Sequence, residues 1–431
     1  MILLGNKIAL LLFISAFLGY SISYRSVYLF HVISIIFFFY LLFINGKMKK
    51  SIVFSLRPFF ILLTFSVFSF FWVKDFSHSI YYIFYLLCGA VSIFSVLFLV
   101  NDDSSLKKII NILLFLQLLN IVLGFLEAST DFRYPLSPYS SYVTLFGYKQ
   151  NELLARLNEI ELSDFLSKPT AFNYNPNDFG FVFILVFPFF YFCSSRILKC
   201  LVIIILFYFI YAIKSKGLVL STILFFAMLI VESFSKGNKK KKGLMSLLFL
   251  VAGILTFIFF DQQILELLNN RAFSFVDTFN YFIDNVNSSE LESLPQDSTG
   301  ERTFLYLFGL RQLWLSNGFG LGIGGITTEL IEIDYSMKSF HFFPLELMID
   351  LGIFFFSFIL IYYIRILFRL RKIYKTVQDR DIRAITRAAL YSLIIIPIAS
   401  ISPSSTIYIL PFWLVFGISL SILRLNRLGK I

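Results

Sequence analysis

Charge is scarce in this chain. Only 15% of its 431 residues are Asp, Glu, Lys or Arg, whereas 58% are hydrophobic and 19% aromatic, at a mean hydropathy of +0.81. So little charge excludes the solvated surface of a soluble domain and identifies an all-α polytopic membrane protein. Cysteine is nearly absent too: Cys88 lies inside an apolar run, and Cys193 and Cys200 flank a short basic loop. Three cysteines make no disulfide framework; the basic loop is predicted cytosolic, so thiols are expected there. A C-x6-C pair with no histidine nearby makes a poor metal site. No A-x-A-like end follows the first apolar run, so it reads as an uncleaved first span. No repeat of 20 to 50 residues is visible, nor a matched pair of Gly/Pro-broken spans of the kind found in many transporters.

What the chain does have is apolar length. Runs near the roughly 17 to 25 residues that cross a bilayer occur at about 8–22, 26–45, 59–72, 80–100, 109–127, 179–193, 200–213, 218–234, 244–260, 343–364, 388–401 and 407–423. The expectation is about twelve transmembrane helices. Most of the 37 lysines and arginines fall in the shorter connections on one side, from Lys7 through the SKGNKKKKG loop to the RLNRLGK tail. The positive-inside rule places that side, with both termini, in the cytosol. The same distribution accounts for the +11 net charge as a topology signal and excludes nucleic acid as a partner. Five segments follow: N-terminal spans 1–127, a first external loop 128–178, central spans 179–260, a large external loop 261–342, and C-terminal spans 343–431.

The two external loops are the only soluble mass able to hold a site. The first opens with DFRYPLSPYSSY, whose prolines preclude a continuous helix. It continues through 150–166, where Leu153, Leu154, Leu157 and Ile160 at helical spacing predict a short surface helix. It closes on TAFNYNPNDFGF, where Asn173, Asn175, Asn177 and Asp178 suit sugar hydroxyls but serve turns and helix caps more often. The tight external hairpin Lys214-Ser215-Lys216-Gly217 breaks the charge trend. Its lysines either snorkel to the headgroups or clamp a phosphate. The second loop begins with the acidic, polar stretch DNVNSSELESLPQDSTG, which reads as flexible. Arg302 and Arg311 follow, nine residues apart and so on opposite faces of a helix. The GLGIGG stretch formally matches a dinucleotide fingerprint, but it follows a helical segment rather than a strand, so it reads as a tight backbone passage. His341 then stands where the chain re-enters the bilayer, ahead of Glu346 and Asp350, which are i and i+4 on one helical face. Carboxylates there must face the bundle interior or a wet cavity, and ionisable groups so placed are often functional.

This ordered set resembles the O-antigen ligase and Wzy-type polymerase superfamily of bacterial surface polysaccharide assembly. The resemblance covers about 171–355. It rests on Asn175-Pro176-Asn177 before a span, the Ser215-Lys216-Gly217 hairpin, Arg302 a dozen residues before Trp314, the glycine bend, and His341 with Leu345-Glu346, Asp350 and Gly352. The hairpin has lysine where the family usually has arginine, keeping the charge but not the bidentate fork. Phe342 and Phe355 stand where a polar residue and a glycine are common. These departures favour the polymerase branch over the ligase branch.

The resemblance implies a GT-C-like bundle and a metal-independent glycosyltransferase that inverts the anomeric centre without a cofactor. The chain shows no external Asp-x-Asp of the kind many metal-dependent glycosyltransferases use. The implied substrate is a polyprenyl pyrophosphate-linked oligosaccharide drawn from the membrane lipid, with a chain-length regulator as a further partner. His341 would be the catalytic base, Arg302 and Lys216 the pyrophosphate ligands, and Glu346, Asp350, Arg311 and Asn177 supporting residues. The expected location is the bacterial inner membrane. A ligase delivering a finished glycan to a lipid or protein is the alternative within the family, and a flippase of lipid-linked sugar the alternative outside it.

Overall fold

Within a bilayer every backbone N–H and C=O must be satisfied internally, so long runs of Leu, Ile, Phe and Val resolve into helices. The computed structural model describes residues 2–43, 50–148, 166–235, 298–335 and 339–431. Its helices are α1 (Ile2–Leu18), α2 (Leu29–Phe43), α3 (Lys50–Phe68), α4 (Phe76–Leu99), α5 (Asp103–Ser129), α6 (Pro176–Cys193), α7 (Arg196–Ile213), α8 (Lys216–Ser235), α9 (Ser298–Leu315), α10 (Gly325–Glu332), α11 (Phe343–Thr376), α12 (Arg380–Ala399) and α13 (Leu410–Arg427). A two-stranded antiparallel hairpin, β1 (Ser23–Tyr24) and β2 (Val27–Tyr28), joins α1 to α2.

Among the described residues nine helices are long and apolar enough to cross a membrane, as expected of an all-α polytopic membrane protein. The count differs from twelve. The run 26–45 yields the shorter apolar helix α2, 407–423 yields α13, which falls outside those nine, and 244–260 lies outside the described residues. So do the predicted surface helix at 150–166, but for its last residue, and the acidic stretch up to 297. Two helix ends also move. α3 begins at Lys50 and carries Arg57 and Pro58 within it, and α11 continues to Thr376 through a basic stretch read as a loop. Ile366, Leu370 and Ile373 supply the reason, since they keep a buried stripe at helical spacing among the lysines and arginines.

The core is built from the helices that are apolar on every side. α6 is buried from Asp178 to Phe190, and α13 along nearly its whole length. α12 packs on α6, α8, α11 and α13, while α4 packs on α1, α3 and α13. Small residues let α4 and α13 approach closely: a Cβ at Gly89 would lie 2.7 Å from the Trp413 ring. The same pair is locked at its far end by Arg424, 1% exposed, which donates to the carbonyls of Leu97 (2.7 Å) and Val100 at the end of α4. A cation there meets the unpaired carbonyls of a helix C-terminus. Around the core, large apolar side chains such as Ile204 (67% exposed) and Phe354 (76%) face outward as a lipid-facing surface should.

The bundle has two unlike ends. One carries residues 100–103, 194–196 and 377–380 and both chain termini. It is tied by Lys107 to Asp379 and Asp381, both at 3.0 Å, and by Glu232 to Tyr374, Arg387 and Tyr391. The other end carries the β-hairpin, residues 130–148 and 166–175, the α7–α8 turn and His341. There Tyr134 donates to Ser21 O and Tyr148 to Ser23 Oγ.

Candidate functional site

α9 has an apolar stripe of Phe304, Leu305, Phe308 and Leu313, which packs with Ile326, Leu330, Phe340 and Ile349 into a satellite core beside the main one. That packing turns Arg302 and Tyr306, one helical turn apart, towards His341. The Tyr306 hydroxyl donates to the His341 carbonyl at 3.3 Å. Arg302 is half-buried with no hydrogen-bond partner for its Nε, and burial lowers its guanidinium pKa. Arg311, on the opposite face, is also half-buried with an unpartnered Nε.

His341 sits just before α11 with φ 55°, the left-handed region that L-residues seldom adopt outside turns. It is 8% exposed, and its N–H donates to Ser404 O at 3.0 Å. Nδ1 lies 3.4 Å from Ser402 O and Nε2 3.1 Å from Ser339 Oγ. A carbonyl only accepts, so a neutral ring puts its proton on Nδ1 and leaves Nε2 as the basic nitrogen. Burial, then the nearby Arg302 charge, push the imidazole pKa down to about 4, against the opposing pull of the Ser402 and Pro403 carbonyls. The ring is therefore neutral at physiological pH.

The same loop, 400–405, grips the α7–α8 turn. Ser402 Oγ lies 2.6 Å from Ser215 Oγ and accepts from Gly217 N at 2.9 Å. A Cβ on Gly217 would come within 2.2 Å of Ser402 Oγ, so the approach requires glycine. Lys216, first residue of α8, is thus brought to the loop that holds His341. Four serines in six positions make this loop the hub of the site: Ser405 Oγ also donates to Glu346 at 2.9 Å. Sequence reasoning passed over it, because serines in a connection look like an ordinary turn.

The two carboxylates of α11 share the inward face, and neither hydrogen-bonds the imidazole, whose partners are Ser339 and Ser402. Glu346 accepts from Tyr82 OH (3.0 Å) and Ser405, while Asp350 accepts from the N–H groups of Gly324 (2.8 Å) and Ile326 (3.0 Å). Asp350 therefore holds the glycine bend and the N-terminus of α10. The bend lies along a break in α11 at Gly352 (φ 78°, ψ 162°). Leu321 and Gly322 donate there to the freed carbonyls of Ile349 and Asp350, and Ile353 donates to Gly318 O.

At the sixth span Asn175 is the helix cap, its Oδ1 accepting from Asp178 N at 2.9 Å, and Asn177 is a half-buried first-turn residue. Asp178 is 3% exposed with an unpartnered Oδ1. A second buried carboxylate, Glu127, accepts from the N–H groups of Tyr134 (3.0 Å), Thr170 (2.7 Å) and Ala171 (2.7 Å), joining the segment after α5 to the one before α6. A cavity of about 1080 Å³ opens beside it, lined by Asp131, Phe132, Arg133, Tyr139 and Tyr142 among others. Glu127 had the same signal as Glu346, an acid in an apolar run, but stood outside the stretch the sequence argument followed. Among the described residues no three His, Cys, Asp or Glu side chains are grouped to hold a metal ion.

No protein-family model matches this chain, and no curated protein matches it. What the arrangement can do is therefore a matter of its own chemistry: a neutral imidazole with a defined basic nitrogen, a guanidinium beside it, and a lysine-bearing turn on the loop that seats the imidazole.

Proposed function

We propose that this protein is a polysaccharide polymerase of the membrane, joining polyprenyl pyrophosphate-linked oligosaccharide units at the end of the bundle that carries His341. The observation that carries the reading is the seating of His341, with Nε2 the unprotonated ring nitrogen and the Arg302 charge close to it. An acceptor sugar hydroxyl is a poor nucleophile and needs a base near it. In the proposed step that hydroxyl replaces Ser339 at Nε2 and gives up its proton there as its oxygen bonds to the anomeric carbon. The bond from that carbon to the pyrophosphate oxygen breaks, and the electron pair leaves with the pyrophosphate, whose charge Arg302 and Lys216 hold. Attack opposite the leaving group inverts the anomeric centre. The positive-inside distribution supports an orientation with this end outside the cytosol, which in this reading is the outer face of a bacterial plasma membrane. No nucleotide sugar reaches that face, so a lipid-linked donor is the activated sugar available.

The test is turnover of the purified protein in nanodiscs with its lipid-linked repeat unit, read on a sizing gel. A ladder of products is expected, lost in His341→Ala and Arg302→Ala with expression and insertion intact, and milder losses in Arg311→Ala. Lys216→Arg should retain activity and Lys216→Glu should not. Full activity in His341→Ala removes the assigned base. A single transfer that occurs only with an added lipid or protein acceptor makes the protein a ligase. Absence of turnover in both conditions leaves movement of lipid-linked sugar as the function.

A further inference from the structure

At the other end of the bundle, three exposed arginines gather with no acidic partner among the described residues. Arg57 and Arg427 both lie over the ring of Phe54, at 4.7 and 4.4 Å from its centroid. Arg369 is near enough to Arg427 for their charges to repel, and the buried Arg424 adds to the same field. Among the described residues none of Arg57, Arg369 and Arg427 forms an ion pair. The undescribed stretch 44–49 contains no acid to supply one. Cations drawn together in this way suit an anion from outside the chain.

An apolar cleft of about 220 Å³ between α3, α11 and α13 runs up from this cluster. Its walls include Leu62, Leu347, Ile359, Phe416 and Leu420. The cleft and the cluster are joined by particular atoms. Ser55 lines the cleft and accepts from Arg427 Nη2 at 3.4 Å, and Tyr362 lines it within electrostatic reach of both Arg369 and Arg427. Positive charge at the end of an apolar slot that runs along membrane-crossing helices matches one kind of molecule in shape and polarity, an amphiphile with an anionic head.

We infer that this cleft is a binding site for an anionic phospholipid, with one acyl chain between α3, α11 and α13 and its phosphate on Arg369 and Arg427. The arginines that take the phosphate lie at the opposite end from His341, while the apolar slot reaches up to Phe343 and Pro344 beside it. Its occupant is a lipid of the leaflet on the arginine side.

The experiment uses the full-length protein stripped of lipid in detergent. Binding of phosphatidylglycerol, of phosphatidylcholine with the same chains, and of soluble glycerol 3-phosphate is measured by native mass spectrometry and by thermal shift. Phosphatidylglycerol is expected to bind at least about tenfold more tightly than phosphatidylcholine, as two charge-assisted contacts allow. Arg369→Gln with Arg427→Gln should remove that preference while leaving phosphatidylcholine binding, which also shows that the variant is folded. Arg371→Gln, an exposed cation two residues away on another face of α11, should leave it unchanged. Leu420→Trp, filling the cleft, should weaken both lipids. Equal binding of the two lipids, or an undiminished preference in the double variant, overturns the proposal. So does competition by glycerol 3-phosphate at the same concentration as the lipid, because the chain would then contribute nothing. Arginine-independent binding of a polyprenyl pyrophosphate that excludes phosphatidylglycerol would also overturn it, by assigning the cleft to a tail entering from the His341 end.

Discussion

His341 joins an unusual backbone conformation to a defined ring tautomer, and both depend on the carbonyls of Ser402 and Ser404. Its pKa is about 4 in the folded protein against 6.5 for the free side chain. As pH falls the unfolded chain takes up this proton first, so the folded state loses stability between pH 6.5 and 4 and keeps it above 6.5. The loss through that window is about 3 kcal/mol. Melting temperatures measured across it should fall less steeply in His341→Asn. Arg302→Gln should raise the imidazole pKa and so shrink the effect, whereas an unchanged profile in both variants would deny the burial of the ring. Activity gives a second reading. An anionic pyrophosphate offsets Arg302, so the acid limb of kcat should lie at higher pH than that of kcat/KM. His341 and Arg302 were legible in the sequence because ionisable groups are rare at a membrane mouth. The loop that seats His341 was not, since it works through main-chain carbonyls that every residue possesses.

The element that decides the geometry is α11, and in particular its interruption. Hydropathy marked the span from 343 onward, and the i, i+4 spacing of Glu346 and Asp350 correctly put both on one face. Neither could show that the helix is broken at Gly352 so that a second chain segment can bond to it. A Cβ at Gly352 would lie 2.3 Å from Phe319 O at a φ reserved for glycine. Gly352→Ala should therefore destabilise the fold by about 3 kcal/mol, read as a lower melting temperature or poor recovery from detergent. Asp350→Asn removes the charge from its bonds to Gly324 and Ile326 and should cost about 2 kcal/mol. A variant as stable as the parent would mean that the bend is held by its other anchors, Ser79 on Ile323 O and Ser69 on Ile323 N. Helix ends were the least legible feature. In α3 and α11 a buried stripe continues beneath basic residues, and charge alone suggested a loop.

Across the whole molecule the unequal ends make a statement about orientation. Ser104 is exposed at the end bearing both termini, and Tyr142 is 61% exposed at the end bearing His341. With an impermeant maleimide on right-side-out vesicles, Tyr142→Cys should label and Ser104→Cys should not, with the reverse in inverted vesicles. Labelling of both from one side would mean that the two positions do not lie across a membrane. The sequence predicts this polarity through the distribution of its lysines and arginines, whereas its apolar runs alone do not reveal how helices such as α4 and α13 pair. The pairing of α4 with α13 has a consequence for biogenesis. Arg424 reaches Leu97 across 327 positions of sequence, so the end of α4 lacks this partner until α13 has been made. The earlier helices must wait in the membrane with that flank of α4 uncovered, and α13 is the keystone that closes it.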